Sequence, residues 1–301
     1  MTLTPPDGGY VWWYVDALSD DGTCGLTIIA FLGSVFSPYY AWARRRGGGD
    51  PMRHCAVNVA LYGKHKRWAM TERGADSVRR DTDFLAIGPS IMSWDGSELT
   101  VRIDEIAVPL PRRIRGTVRL RPSAIETRTI TLDTAGRHRW RPIAPCARVE
   151  VSFDQPEATW SGQAYFDTNN GDRSLETDFI RWDWSRMRVP GGSFILYDVI
   201  RQDGALTLAM RYDDAGGIED FAAPALVSLP RTRWNLPRRV SAASPSVIET
   251  LEDTPFYSRS LIKAHMLGGP VTAVHESLAL DRFASPWVQA MLPFRMPRRS
   301  G

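Results

Sequence analysis

Two short motifs in this sequence carry the side chains that acid chemistry in a dry pocket needs. In GRHRWRPIAP, His138 and Trp140 are separated by one residue; in WSGQAYFDTNNGD, Tyr165 and Asp167 repeat that spacing. Along an extended chain residues i and i+2 project from the same face, so each pair would present both side chains to one space. A carboxyl, an imidazole, a phenol and an indole can together hold a proton, direct it and steady a positive charge. Beside an aromatic wall, Asp167 is expected to keep its proton, His138 to fix that proton's direction, and the rings of Trp140 and Tyr165 to face a cation. Spacing alone leaves another reading open, in which Asp167 caps a turn at Asn169-Asn170-Gly171 and His138 is an ordinary core or surface histidine.

Aromatic density supports an apolar pocket. Five of the eleven tryptophans fall in aromatic clusters, in Trp12-Trp13-Tyr14, in Tyr39-Tyr40 with Trp42, and in Trp182-Asp183-Trp184. Period two puts Trp182 and Trp184 on one side of a strand and Asp183 on the other. Core packing accounts for any tryptophan taken singly. Taken together, Trp12, Trp13, Trp182 and Trp184 are candidates to line a cavity for a long hydrophobic ligand. No P-loop, dinucleotide fingerprint, HExxH, Gly-x-Ser-x-Gly or Asp-Asp-x-x-Asp pattern is present. Asp20-Asp21 and Asp213-Asp214 stand beside glycine-bearing turns and read as loop carboxylates. His275 beside Glu276 reads as a surface pair.

The elements that must position these groups are short and β-rich. Val101 to Val108, Arg128 to Asp133, Arg148 to Phe153, Phe194 to Ile200, Ala205 to Tyr212 and Ala273 to Leu280 alternate or run β-branched, and 21 prolines punctuate the chain too often for long helices. The expectation is an all-β fold, barrel or sandwich. A chain of 301 residues exceeds one small barrel, so two tandem β-barrel domains are expected, 1–135 and 136–301, with the break among basic, proline-bearing connectors. The uncharged stretch from Gly22 to Ala43 is long enough to cross a membrane. Its glycines, Pro38 and the β-branched Thr27-Ile28-Ile29 favour a strand followed by a turn.

With 43% apolar and 24% charged residues the composition is that of a soluble globular chain, which excludes disordered and collagen-like classes. A net charge of +3 gives no argument for nucleic acid. Only Lys64, Lys66 and Lys263 of the 37 basic residues are lysine. The arginine runs at 44–46, at 112, 113 and 115, and at 298–299 could hold anionic headgroups, although such runs are ordinarily solvated surface. Cys24, Cys55 and Cys146, odd in number and widely spaced, read as free thiols of a reducing, cytoplasmic compartment. No basic–apolar–small leader opens the chain.

Long strings of the sequence resemble the carotenoid 1,2-hydratases, also called hydroxyneurosporene synthases, of carotenoid-making phototrophic bacteria. The resemblance is carried by GGYVWWYVDALSDDG, FSPYYAWARRRG, HCAVNVALYG, RWAMTERG, HRWRPIAPCARVEV, FIRWDWSR, LEDTPFYSRS and HESLALDRF, and runs nearly end to end. It implies tandem lipocalin-like β-barrels and a cofactor-independent addition of water across the terminal C1–C2 double bond of an acyclic carotenoid such as neurosporene or lycopene. The family's His-x-Trp and Tyr-x-Asp motifs fall on His138, Trp140, Tyr165 and Asp167. A substrate that resides in the bilayer also implies peripheral contact with lipid at the inner, photosynthetic membrane. Two rivals use the same pocket differently: a non-catalytic carrier of apolar ligands, and a cyclase that closes a ring with the same acid. A glycosidase would need two carboxylates in a polar cleft, which the aromatic lining disfavours.

Overall fold

The alternating segments fold as antiparallel strands, most of them longer than their apolar centres. The computed structural model describes residues 1–266 and 269–299. They divide into two compact units: Met1–Ser174 with the segment from Ala290 onward, and Leu175–Gln289. Residue 135, where the connectors place the break, lies inside the first unit, between two strands of one sheet.

The first unit contains β1 (Tyr10–Ser19), β2 (Gly25–Leu32), α1 (Pro38–Arg45), β3 (Cys55–Tyr62), β4 (Arg67–Arg73), β5 (Val78–Asp81), β6 (Phe84–Ile87), β7 (Ser90–Trp94), β8 (Leu99–Ile106), β9 (Arg113–Pro122), β10 (Ile130–Thr131), β11 (His138–Gln155) and β12 (Glu157–Gly171). They form one 13-stranded sheet in the order β22-β4-β3-β2-β1-β12-β11-β9-β8-β7-β6-β5, with β10 added against β11 and β22 (Arg298–Arg299) supplied from the segment after Ala290. The sheet curls around one apolar core that takes Val11, Trp13, Val15, Ile28, Val59, Met92, Val101, Val118, Val149 and Phe166 from strands along its width. The curl brings β4 to the end of β8, where the Val108 N–H donates to the Trp68 carbonyl at 2.9 Å. Strand β8 shows the ordinary half-buried alternation, Leu99, Val101 and Ile103 inward and Arg102 outward. Strand β1 is buried on both faces along nearly its whole length. Its second face is therefore covered, and that face carries polar and aromatic groups.

The uncharged stretch from Gly22 to Ala43 forms β2, a turn and the start of α1. Among the described residues no helix is long and apolar enough to cross a membrane. Strand β22 pairs in parallel with β4. There Arg298 donates to the buried Glu72 carboxylate at 2.7 Å, which also takes His54 Nδ1 at 2.9 Å.

The second unit contains α2 (Leu175–Asp178), β13 (Phe179–Val189), β14 (Gly192–Arg201), β15 (Gly204–Asp213), β16 (Ile218–Asp220), β17 (Leu226–Leu229), β18 (Arg238–Ser241), β19 (Ala243–Asp253), β20 (Tyr257–Met266), β21 (Gly269–Ala279) and α3 (Leu280–Phe283), and α4 (Pro286–Met291) runs out of it. Seven strands form the sheet β16-β15-β14-β13-β21-β20-β19, and β17 and β18 make a separate ribbon. Met187, Phe194, Leu196, Val240, Ile262 and Ala273 build its apolar core. Beside that core His275 is fully buried, with Nδ1 2.9 Å from Ser185 Oγ and Nε2 3.1 Å from Ser277 Oγ, while Ser277 donates to Asp183 at 2.5 Å. The surface pairing expected of His275 and Glu276 is thus replaced: β21 lies between β13 and β20, so His275 points inward and Glu276 meets Arg259. Burial pushes the His275 imidazole down to about 3, with Arg238 adding to the effect. Burial likewise pushes the Asp183 carboxyl up to about 6, against the opposing pull of Ser277 and Arg239.

The three cysteines are free thiols. Burial raises the Cys55 thiol to about 12.

Candidate active site

Strand β12 is the spine of the site because it is paired along both edges. Its register sets Tyr165 opposite Asp16, Asp167 opposite Tyr14, Asn169 opposite Trp12 and Gly171 opposite Tyr10 on β1. Along its other edge Asn169 faces Trp140, and Gly171 faces His138, on β11. Directly opposed residues of an antiparallel pair share a face, so β1, β12 and the first part of β11 present Tyr10, Trp12, Tyr14, Asp16, His138, Trp140, Tyr165, Asp167 and Asn169 together. The apolar core lies behind them, on the other face of the same strands.

Asp167, 5% exposed, is the hub. Its Oδ2 accepts from the Tyr165 hydroxyl at 2.7 Å and from Trp140 Nε1 at 2.9 Å, and Trp140 Nε1 is also 3.2 Å from the Tyr165 oxygen. The other oxygen, Oδ1, lies 3.4 Å from the Asn169 amide nitrogen. The Tyr165 and Trp140 donors thus share one carboxyl oxygen, and the Asn169 amide approaches the other.

His138 belongs to the adjoining register row. Its Nδ1 lies 2.9 Å from the Tyr10 hydroxyl, and its backbone N–H donates to Asp133 at 2.8 Å. The partner of Nδ1 is thus a phenol from β1 that sequence spacing does not reveal. Gly171 makes room for this pair: a Cβ there would stand 2.4 Å from Tyr10 Cε1 and 2.6 Å from His138 Nδ1. Ring packing continues the wall, with Tyr10 stacked on Trp12 at 4.9 Å, Trp12 edge-on to Phe31 at 6.0 Å, and Tyr14 edge-on to Tyr165 at 6.1 Å.

The structure brings His138, Trp140, Tyr165 and Asp167 onto one buried face, and adds Tyr10, Tyr14, Asp16 and Asn169. Asn169-Asn170-Gly171, expected as a turn, is the end of β12 and is paired with both neighbours. Partners on each edge override the local turn preference. Trp12 lies on the site face, whereas Trp13, next in the alternation, packs in the apolar core. Trp182 and Trp184 belong to β13 of the second unit. They share the face opposite Asp183, where Trp182 meets Phe179 at 5.9 Å and Tyr197 at 6.0 Å. A signal for Tyr10 and Asn169 was present in the sequence, since each extends a period-two aromatic or polar row. Only strand pairing shows that the two rows adjoin.

Of the arginine runs, Arg113 is held in two-point contact by Asp104 at 2.7 and 2.6 Å, and Arg298 by Glu72. Arg44 lies over the Tyr40 ring at 4.4 Å. No group of three or more His, Cys, Asp or Glu residues suited to a metal ion occurs among the described residues.

The family described as carotenoid hydratase CrtC matches residues 28–301. The acyclic carotenoid 1,2-hydratase of Thiocapsa roseopersicina is 55% identical over all of this chain and 75% of its own length. That of Rubrivivax gelatinosus is 51% identical, over 98% of this chain and 75% of its own. That of Cereibacter sphaeroides is 40% identical over 91% and 99%. Among solved structures, kievitone hydratase from Nectria haematococca aligns with a TM-score of 0.58 at 8% identity, over 92% of each chain. CghA aligns with a TM-score of 0.52 at 13% identity, over 92% of this chain and 93% of its own. These two likenesses concern the fold.

Proposed function

The chain belongs to the carotenoid hydratase CrtC family, and from that premise we propose that it adds water across the terminal C1–C2 double bond of an acyclic carotenoid, with Asp167 as the proton donor. One observation carries the assignment: a buried carboxyl whose Oδ2 takes both the Tyr165 hydroxyl and the Trp140 indole N–H, set in a wall of aromatic rings.

An isolated trisubstituted alkene offers only its π electrons, so hydration begins with protonation at C2. The acid must then be a neutral carboxyl. In this reading the transferable proton is carried on Oδ1, the oxygen other than the one that takes the Trp140 and Tyr165 donors. The π pair forms the new C2–H bond and leaves a tertiary cation at C1. Water attacks C1, and its surplus proton returns to the Asp167 carboxylate, so the sum is alkene plus water to alcohol, with the acid regenerated. While Asp167 is ionised, Trp140 and Tyr165 steady its charge by hydrogen bonds that are already in place. The aromatic faces of the wall steady the cation, each contact contributing about 0.5–2 kcal/mol when desolvated. His138, oriented by Tyr10, is assigned to the attacking water. Trp12 is assigned to the polyene. Excess water would quench the cation early, which is why a buried site suits the reaction.

For the tandem lipocalin-like organisation, the support is that each unit has its own antiparallel sheet and apolar core. Contact with the membrane that holds such a substrate follows from the same reading.

The test is direct. Purified protein incubated with lycopene should yield a product heavier by one water. An isomer of unchanged mass would identify the cyclase instead, and bound but unaltered lycopene the carrier.

A further inference from the structure

A stacked pair of exposed tryptophans stands on the second unit. Trp234 is 43% exposed and Trp287 50% exposed, with ring centroids 6.3 Å apart and planes inclined by 27°. Trp234 sits at the tip of the loop between β17 and β18, and that loop is braced. Arg282 donates to the Trp234 carbonyl at 2.8 Å and to the Asn235 carbonyl at 3.1 Å, and Arg231 donates to Asn235 at 3.0 Å. Asn235 takes the left-handed conformation, φ 58°. Thr232 Oγ1 accepts the Leu236 N–H at 3.2 Å, and Leu236 anchors the loop by full burial. Trp287 comes from α4, whose Val288 and Gln289 are buried. Both indoles are thus held outward by fixed backbone, and neither belongs to an unanchored tail.

Their surroundings select the partner. Arg231 and Arg233 flank Trp234 and are exposed, and Arg282 lies beneath the tip. Of the acids nearby, Asp253 accepts the Arg233 backbone N–H at 2.8 Å and Asp281 lies 3.8 Å from Arg181. A two-fold contact with a second copy would set this patch on itself and bring its guanidinium groups face to face. An anionic lipid surface is complementary instead: guanidinium pairs with phosphate, and indole prefers the zone between headgroups and acyl chains.

We propose that Trp234, Trp287, Arg231 and Arg233 form the surface by which this protein docks on an anionic bilayer. The proposal rests on the reading of the substrate as an acyclic carotenoid, which is dissolved in the bilayer. Docking brings the protein to the phase that holds its substrate, through a patch that performs no chemistry.

The experiment uses the full chain and two kinds of vesicle, phosphatidylcholine alone and phosphatidylcholine with phosphatidylglycerol. The wild-type protein should co-sediment with the anionic vesicles, and lipids brominated in the upper acyl chain should quench part of its tryptophan emission. Trp234→Ser with Trp287→Ser should weaken binding by about tenfold or more and remove that quenching. Arg231→Gln and Arg233→Gln should each weaken binding about fivefold on anionic vesicles only, and this pair keeps the test decisive if the tryptophan variant fails to fold. The tryptophan variant should hydrate lycopene in detergent at the wild-type rate but lose hydration of lycopene embedded in vesicles. Vesicle binding undiminished in both pairs of variants overturns the proposal. So does a wild-type dimer that the tryptophan variant turns into monomer. Failure of the wild type to hydrate lycopene in detergent would instead count against the proposed reaction and leave the vesicle result to judge docking.

Discussion

At the scale of single residues the reaction depends on where one proton sits. Asp167→Asn keeps an oxygen for the Trp140 and Tyr165 donors and removes the acid. It should slow hydration by about 10²–10⁴-fold while thermal unfolding and lycopene binding stay near wild type; turnover at the wild-type rate would remove Asp167 as donor. Tyr165→Phe deletes the 2.7 Å hydrogen bond and leaves the ring. The expected fall in kcat is about 10–100-fold with KM little changed, because a hydrogen bond to a charged group is worth about 1.5–3 kcal/mol. Period two made it legible that His138 shares a face with Trp140 and Tyr165 with Asp167, while the grouping of all four came from the resemblance of the two motifs to those of the family. The meeting of Tyr10 and Asn169 with these four was not legible, since what brings the rows together is pairing between segments about 130 to 160 residues apart, which no local pattern encodes.

At the scale of elements, the site depends on the close approach of β1, β12 and β11. Gly171→Ala would put a methyl group between Tyr10 and His138. The expected cost is about 1–3 kcal/mol in urea unfolding, with a loss of hydration as His138 and Tyr10 are pushed apart. In the second unit, the buried histidine gives a pH signature. With its native value lowered to about 3, His275 stays neutral where the unfolded chain takes up a proton, so its contribution to stability falls as pH drops below about 6.5. Asp183, raised to about 6, acts with the opposite sign: the native state holds a proton that the unfolded state has released, so stability falls as pH rises from about 4 to 6. The two slopes oppose each other over that window. His275→Gln should unmask the second, so that unfolding free energy, measured relative to wild type, decreases as pH rises from about 4 to 6. A parallel pH dependence of the two proteins would contradict the burial of a neutral imidazole. Strands such as β8, β15 and β21 could be read from their alternating or β-rich stretches. Asn169-Asn170-Gly171 could not, because two flanking strands hold as extended chain a tripeptide that alone favours a turn.

At the scale of the whole molecule, sequence gave the all-β class and two parts, but the proline-bearing connectors near residue 135 sit inside one sheet. Prolines and basic residues mark breaks in pairing, and a long curled sheet contains such breaks at its own irregular corners. Nothing local announces that the segment after Ala290 returns to the first unit. Its anchor is Arg298 on buried Glu72, beside His54. Arg298→Ala should lower the stability of that unit by about 1–2 kcal/mol, as expected for a buried carboxylate that loses a partly exposed partner. Melting followed by tryptophan emission would register the change, and an unshifted transition would show that β22 contributes nothing. This return has a consequence for biosynthesis. The edge of the first sheet at β4 is completed by a strand translated after the entire second unit, so on the ribosome the earlier unit must wait with that edge unzipped until the whole of its neighbour has been made.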